Sequence, residues 1–145
     1  MKDKDLKMRE AVLNTWVRFE GIMRMTMMSG ALTHREFGVC NMIANAKEPI
    51  TATELCEKLA MHKSQMNRTL TKLEENGIII RKRSTDDKRR VYVELNMKNI
   101  EDYEKMHKRA LDYTEAVISR LGRERVAEIK DVFQEVINAL NEAAE

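Results

Sequence analysis

Apolar positions recur every three or four residues through most of the chain and every second residue in one short central stretch. From about residue 6 to 28, Val12, Leu13, Trp16, Val17 and Phe19, continued by Ile22 and Met23, form a helical stripe that Ser29-Gly30 closes. Met23, Met25, Met27 and Met28 crowd its end and cannot share one face. They predict a helix covered on more than one side by core or dimer packing, with an adaptable ligand pocket as the alternative. Thr33-His34-Arg35-Glu36 is a capping box with Leu32 and Phe37 as its hydrophobic staple. The helix it opens turns Phe37, Cys40, Ile43 and Ala44 inward and stops before Glu48-Pro49.

A second capping box follows, Thr51 with Glu54, stapled by Ile50 and Leu55. Its short helix faces Leu55, Cys56 and Leu59 inward and breaks at Ala60-Met61-His62. A helix over 63–76 comes next, with Gly77 at its C-terminal cap. Two helices across so short a turn have the spacing of a helix-turn-helix.

At residue 78 the period changes. Ile78-Ile79-Ile80 is β-branched throughout, and Val91, Val93 and Leu95 alternate with Tyr92 and Glu94. Between them residues 81–90 are uniformly polar or charged, which predicts a β-hairpin with a long basic loop. Helical spacing returns over 99–121 (Ile100, Tyr103, Met106, Leu111, Thr114, Val117, Ile118, Leu121) and breaks at Gly122. The last helix carries Val126, Ile129, Val132, Phe133, Val136, Ile137 and Leu140, a wider apolar stripe than a terminal helix normally shows to water. With the first helix it predicts an intertwined two-chain bundle. The expected fold is mainly α with a small β-hairpin wing. Residues 1–30 form an N-terminal helix of the dimerisation region, 31–96 a winged helix-turn-helix, and 97–145 C-terminal dimerisation helices.

Composition narrows the class. The 145 residues are 43% apolar, enough to bury a core, and include one proline and five glycines, too few for an all-β fold. No apolar run approaches the length of a membrane span, and Met1-Lys2-Asp3-Lys4-Asp5 leads into no signal-like segment, so a cytoplasmic protein with no membrane partner is expected. Residues 63–90 hold nine Lys/Arg against four acids, a net +5; the chain total of +2 leaves −3 for the rest. Such a local excess points to a polyanion contact.

On a helical wheel Met66, Leu70 and Leu73 mark the buried side of helix 63–76. Ser64, Arg68 and Thr71 take the opposite pole, with Gln65, Asn67 and Lys72 on the flanks. Arginine suits guanine O6/N7, asparagine and glutamine suit adenine N6/N7, and hydroxyls suit several bases, while the helix N-terminus suits a phosphate. A solvated surface is the alternative for this face alone; the tight turn, the polar pole and the basic hairpin in succession favour DNA. Lys88, Arg89 and Arg90 at the hairpin tip can reach a minor groove, and Asp87 can brace Arg89 across the loop. Thr51, Lys63 and Arg83 complete the candidate DNA contacts.

These segments resemble the MarR (multiple antibiotic resistance regulator) family. The resemblance is carried by Leu32-Thr33, Ile50-Thr51-x-x-Glu54-Leu55, Ser64-x-Met66-x-Arg68-x-Leu70-x-x-Leu73-x-x-x-Gly77-Ile78, and Asp87-Lys88-Arg89-x-Val91-x-Val93-x-Leu95. It implies a homodimeric winged-helix repressor on a pseudo-palindromic operator, using recognition helix 63–76 and wing 81–93. Terminal helices would make the dimer, and a small anionic or phenolic effector would bind between the dimer and DNA-binding lobes. Ser64, Gln65 and Arg68 match the family's recognition-helix contacts, and Lys88 and Arg89 its wing contacts. Two departures stand out: His62 replaces the usual helix cap, and Asn96, a minor change, replaces a threonine after the strand.

Trp16, Phe19, Met23, Phe37, Met42 and Tyr113 are candidate linings of an effector pocket, though core packing explains each equally well. Cys40 and Cys56 fall on inward stripes, where cysteine is a small inert hydrophobe. His34, His62 and His107 lack metal-site spacing, so no metal or other cofactor is expected. No nucleophile stands beside a base and no glycine-rich phosphate loop is present, which argues against an enzyme. The alternative function is a winged-helix protein-interaction adaptor without sequence-specific DNA binding.

Overall fold

A computed structural model of the chain describes residues 2–27 and 29–145. The chain divides into two compact units, residues 1–108 and 109–145. In the first, α1 spans Lys2–Thr26. It begins earlier than the apolar stripe because Asp3 and Asp5 complement the positive end of the helix and Lys7 pairs with Asp3 at 3.3 Å. None of its residues is buried within the chain. The methionine cluster at its end includes Met28, which lies outside the described residues.

Helix α2 (His34–Asn45) starts at the expected box: Thr33 Oγ1 accepts the Glu36 N–H, and Glu36 Oε2 accepts the Thr33 N–H. Its inward side is Glu36, Phe37, Val39 and Cys40. Ala44, expected inside, is exposed, because it sits in the last turn, past the span that packs on the core, and Val39 is fully buried instead. Tyr103 covers Phe37 with ring centroids 5.7 Å apart.

Strand β1 (Ile50–Thr51) leads into α3 (Ala52–Leu59), whose capping box is also formed. Two residues are too few to show a period, so β1 left no sequence signal. Ala60 ends α3 in the left-handed region at φ 49° and turns the chain into α4 (Lys63–Glu75). Gly77, at φ 71°, ends α4: the N–H of Ile78 reaches Leu73 O and its own reaches Glu74 O, a Schellman closure.

Strands β2 (Ile79–Arg83) and β3 (Val91–Leu95) pair antiparallel from Ile79↔Leu95 to Arg83↔Val91, and β1 adds to the other edge of β3. The sheet therefore has three strands in the order β1-β3-β2. Arg81, Lys82 and Arg83, expected in the loop, lie in β2. Opposite β-branched and aromatic partners carry them there, and Lys82 pairs diagonally with Glu94 at 2.6 Å. Only residues 84–90 remain in the loop. Leu55, Met66, Leu70, Leu73 and Ile79 form the centre of the core.

Helix α5 (Glu101–Leu121) buries Tyr103 and Met106 in the first unit. The second unit holds its remainder and α6 (Arg123–Ala144), separated by Gly122 at φ 86°. No residue of α6 is buried, and Val132, Phe133, Ile137 and Leu140 are among its exposed side chains. No helix among the described residues is long and apolar enough to cross a membrane.

Candidate nucleic-acid interface

Met66, Leu70 and Leu73 anchor α4 in the core, which leaves Lys63, Ser64 and Arg68 on its exposed side, with Gln65 half-buried. His62 is the N-cap but makes no side-chain cap bond, so the first-turn amides are left to an outside acceptor.

The flanks of α4 are occupied by the protein itself. The guanidinium of Arg81 on β2 donates to Asn67 Oδ1 (3.1 Å), Thr71 Oγ1 (3.2 Å) and Glu74 Oε1 (3.0 Å), and its backbone N–H donates to Glu74 Oε2 (3.2 Å). That guanidinium holds the Glu74 carboxyl below the ordinary carboxylate range. Thr71 is half-buried in consequence, not at an open pole. Lys72 turns the other way, its Nζ 3.1 Å from Glu36 Oε1. Thr51 is unavailable as a contact: it is 5% exposed, and its hydroxyl and N–H are committed to Glu54.

The wing tip is built rather than loose. Ser84 N–H donates to Arg90 O, Arg90 N–H to Asp87 O, and the Ser84 hydroxyl accepts from the N–H groups of Asp86 and Asp87. Asp87 Oδ1 accepts both the N–H and Nε of Arg89, at 3.0 and 3.2 Å, the bracing expected from the spacing. The Arg89 side chain is still 92% exposed. Arg90 lies over the Tyr92 ring, 5.5 Å from its centroid, and its charge helps lower the Glu54 carboxyl after the Thr51 hydrogen bonds. Among the described residues, Lys63, Arg68, Arg83 and Lys88 take part in no intramolecular ion pair. These four and Arg89 are exposed on α4, the end of β2 and the wing tip, as is Arg90 beside Tyr92.

Residues 32–91 match the MarR family model. They run from buried Leu32 to the first residue of β3 and so contain both capping boxes, the helix-turn-helix, β2 and the wing loop. Residues 32–91 are a MarR-family domain. MarR-family members are transcriptional regulators, not enzymes. The chain is 24% identical over 105 residues to the HTH-type transcriptional regulator FarR of Neisseria gonorrhoeae, covering 72% of this chain and 71% of that one. A MarR transcriptional regulator from Methanosarcina mazei shares the fold with a TM-score of 0.76 and 19% identity, over 91% of this chain and 98% of that one. The PcaV regulator of Streptomyces coelicolor, solved with its natural ligand, gives 0.69 and 19% over 92% of each chain.

Sequence reasoning missed Arg81, Glu74 and Asn96 in this MarR-family domain. Asn96 is no minor departure: its Nδ2 donates to Gly77 O at 2.8 Å, tying the end of β3 to the turn that closes α4. Arg81 was hidden in a charge run whose members look alike. Of the candidate effector residues, Phe37 is buried under Tyr103. Met42 lines a cleft of about 350 Å³ that contains none of the other five. Trp16 and Phe19 are exposed on α1 and Met23 half-buried, while Tyr113 belongs to the second unit. Burial, followed by the charge of Glu36, pushes the Cys40 thiol up to about 12; Cys56 is half-buried. Among the described residues no group of His, Cys, Asp and Glu could hold a metal ion.

Proposed function

We propose that the chain is a homodimeric, sequence-specific DNA-binding transcriptional regulator, a ligand-responsive repressor that acts in the cytoplasm on a pseudo-palindromic operator. The observation that carries this is the exposed edge of α4, Ser64 and Arg68, flanked by a braced wing whose Lys88 and Arg89 project into solvent. Arg68 supplies a bidentate donor for a major-groove guanine, and the wing cations suit the potential of an adjacent minor groove. Lys63, Arg83 and the open first-turn amides of α4 hold phosphates and set the register.

The dimer rests on the terminal segments, 1–30 and 97–145. Exposed Leu13, Trp16 and Ile22 on α1, and Val132, Ile137 and Leu140 on α6, are surfaces that a second copy would cover. Two recognition helices about one helical turn apart, roughly 34 Å, would then read two half-sites. A small-molecule effector is proposed by analogy with PcaV, which was solved with its natural ligand. Selection of bound duplexes from a random pool, followed by salt titration of the winner against a scrambled duplex, tests the reading. A palindromic consensus is expected; equal affinity for both duplexes would reject it.

A further inference from the structure

Arg81 stands in the strand behind the recognition helix and controls what α4 can offer a base. A guanidinium has donors and no acceptor, so the Asn67 amide atom 3.1 Å from Arg81 Nη1 is necessarily Oδ1. The Nδ2 hydrogens are left for whatever lies on the outer side, and among the described residues they meet no protein acceptor. Thr71 is held by the same guanidinium: its Oγ1 accepts from Arg81 Nη2, which leaves the hydroxyl hydrogen and one lone pair. Glu74 keeps the guanidinium in place through two contacts to its N–H groups and one to the Arg81 backbone. The Asn67 carboxamide is thereby held with its oxygen towards Arg81 on β2.

Adenine asks an amide for one donor and one acceptor in the major groove, whereas guanine offers two adjacent acceptors, O6 and N7. We propose that Arg81 is a specificity-determining positioning residue: by holding Asn67 Oδ1 towards β2 it leaves Nδ2 to meet the base and makes Asn67 a reader of guanine rather than adenine. The inference rests on α4 being the DNA-reading helix.

The test is duplex selection with wild type, Asn67→Ala and Arg81→Met, each checked for folding by circular dichroism. Wild type is expected to select guanine over adenine by about tenfold at the pair whose preference Asn67→Ala abolishes. In Arg81→Met the amide is free to turn Oδ1 towards adenine N6, and that preference falls to parity or inverts. Wild-type selection of adenine at that pair overturns the inference. So does an unchanged guanine preference in Arg81→Met, or an Asn67→Ala variant that alters no base preference. Should Arg81→Met not fold, 7-deazaguanine at that pair decides with wild type alone: a severalfold loss of affinity supports the inference, and no loss overturns it. A wild-type protein that selects no consensus fails the regulator reading itself, whereas a consensus that ignores Arg81 fails only this step.

Discussion

Lys72 Nζ lies 3.1 Å from Glu36 Oε1, so the recognition helix is fastened to a carboxylate that is only 7% exposed and that also caps α2. Lys72 was a candidate DNA contact, and this geometry gives it a supporting role. Lys72→Ala strands the Glu36 carboxylate, and a stability loss of about 1 kcal/mol is expected, kept small because the ammonium end is 61% exposed. Thermal melting checks the loss. The salt dependence of duplex binding should stay as in wild type, whereas Lys88→Ala should lower its slope by about 1.

On the proposed reading Asp87 would face the same polyanion as its neighbours, and by charge alone its removal should tighten binding. The two hydrogen bonds that Asp87 accepts from Arg89 argue the reverse. Asp87→Ala is expected to weaken duplex affinity about two- to fivefold, since a loosened tip must be ordered on binding. In a double-mutant cycle with Arg89→Ala the two losses should not add. Tighter binding by Asp87→Ala would show that repulsion outweighs bracing.

Arg68 is exposed on the outer side of α4. Arg68→Ala should cost about 1–3 kcal/mol on the selected duplex and much less on a scrambled one, measured by competition titration. Equal losses on both would assign Arg68 to the phosphates.

The two cysteines should behave differently. With Cys40 fully buried and its thiol pushed up to about 12, a thiol reagent near pH 8 should label one site per native chain, Cys56, and two after denaturation. Because the folded Cys40 stays neutral while the unfolded thiol ionises near its ordinary value of 9.0, its contribution to stability is complete below about pH 9. It is lost as pH rises towards 12. Denaturant midpoints of wild type should therefore fall more steeply than those of Cys40→Ala across that range.

Val132 and Leu140 are more than half exposed on α6. Placing aspartate at both should leave the helical circular dichroism unchanged and shift the sedimentation coefficient to that of a single chain. Binding to a two-half-site duplex should weaken in parallel. A retained dimer would remove α6 from the interface.

Features that depend on neighbours within about four residues were legible in the sequence. Both capping boxes, the buried pole Met66-Leu70-Leu73, the glycine closure at Gly77 and the Asp87–Arg89 brace each follow from spacing and residue type. The division of labour among the cations was not. Arg81, Lys82 and Arg83 are equivalent as a charge run, yet pairing with β3 turns Arg81 onto α4, 14 residues from Asn67 in sequence, and joins Lys82 to Glu94. Strand β1, the Lys72–Glu36 pair and the Asn96–Gly77 tie likewise join segments distant along the chain. A cation can reach many acids from an unfolded chain; only the packing of α2, α4 and the sheet selects its partner, and with it which charges remain for DNA.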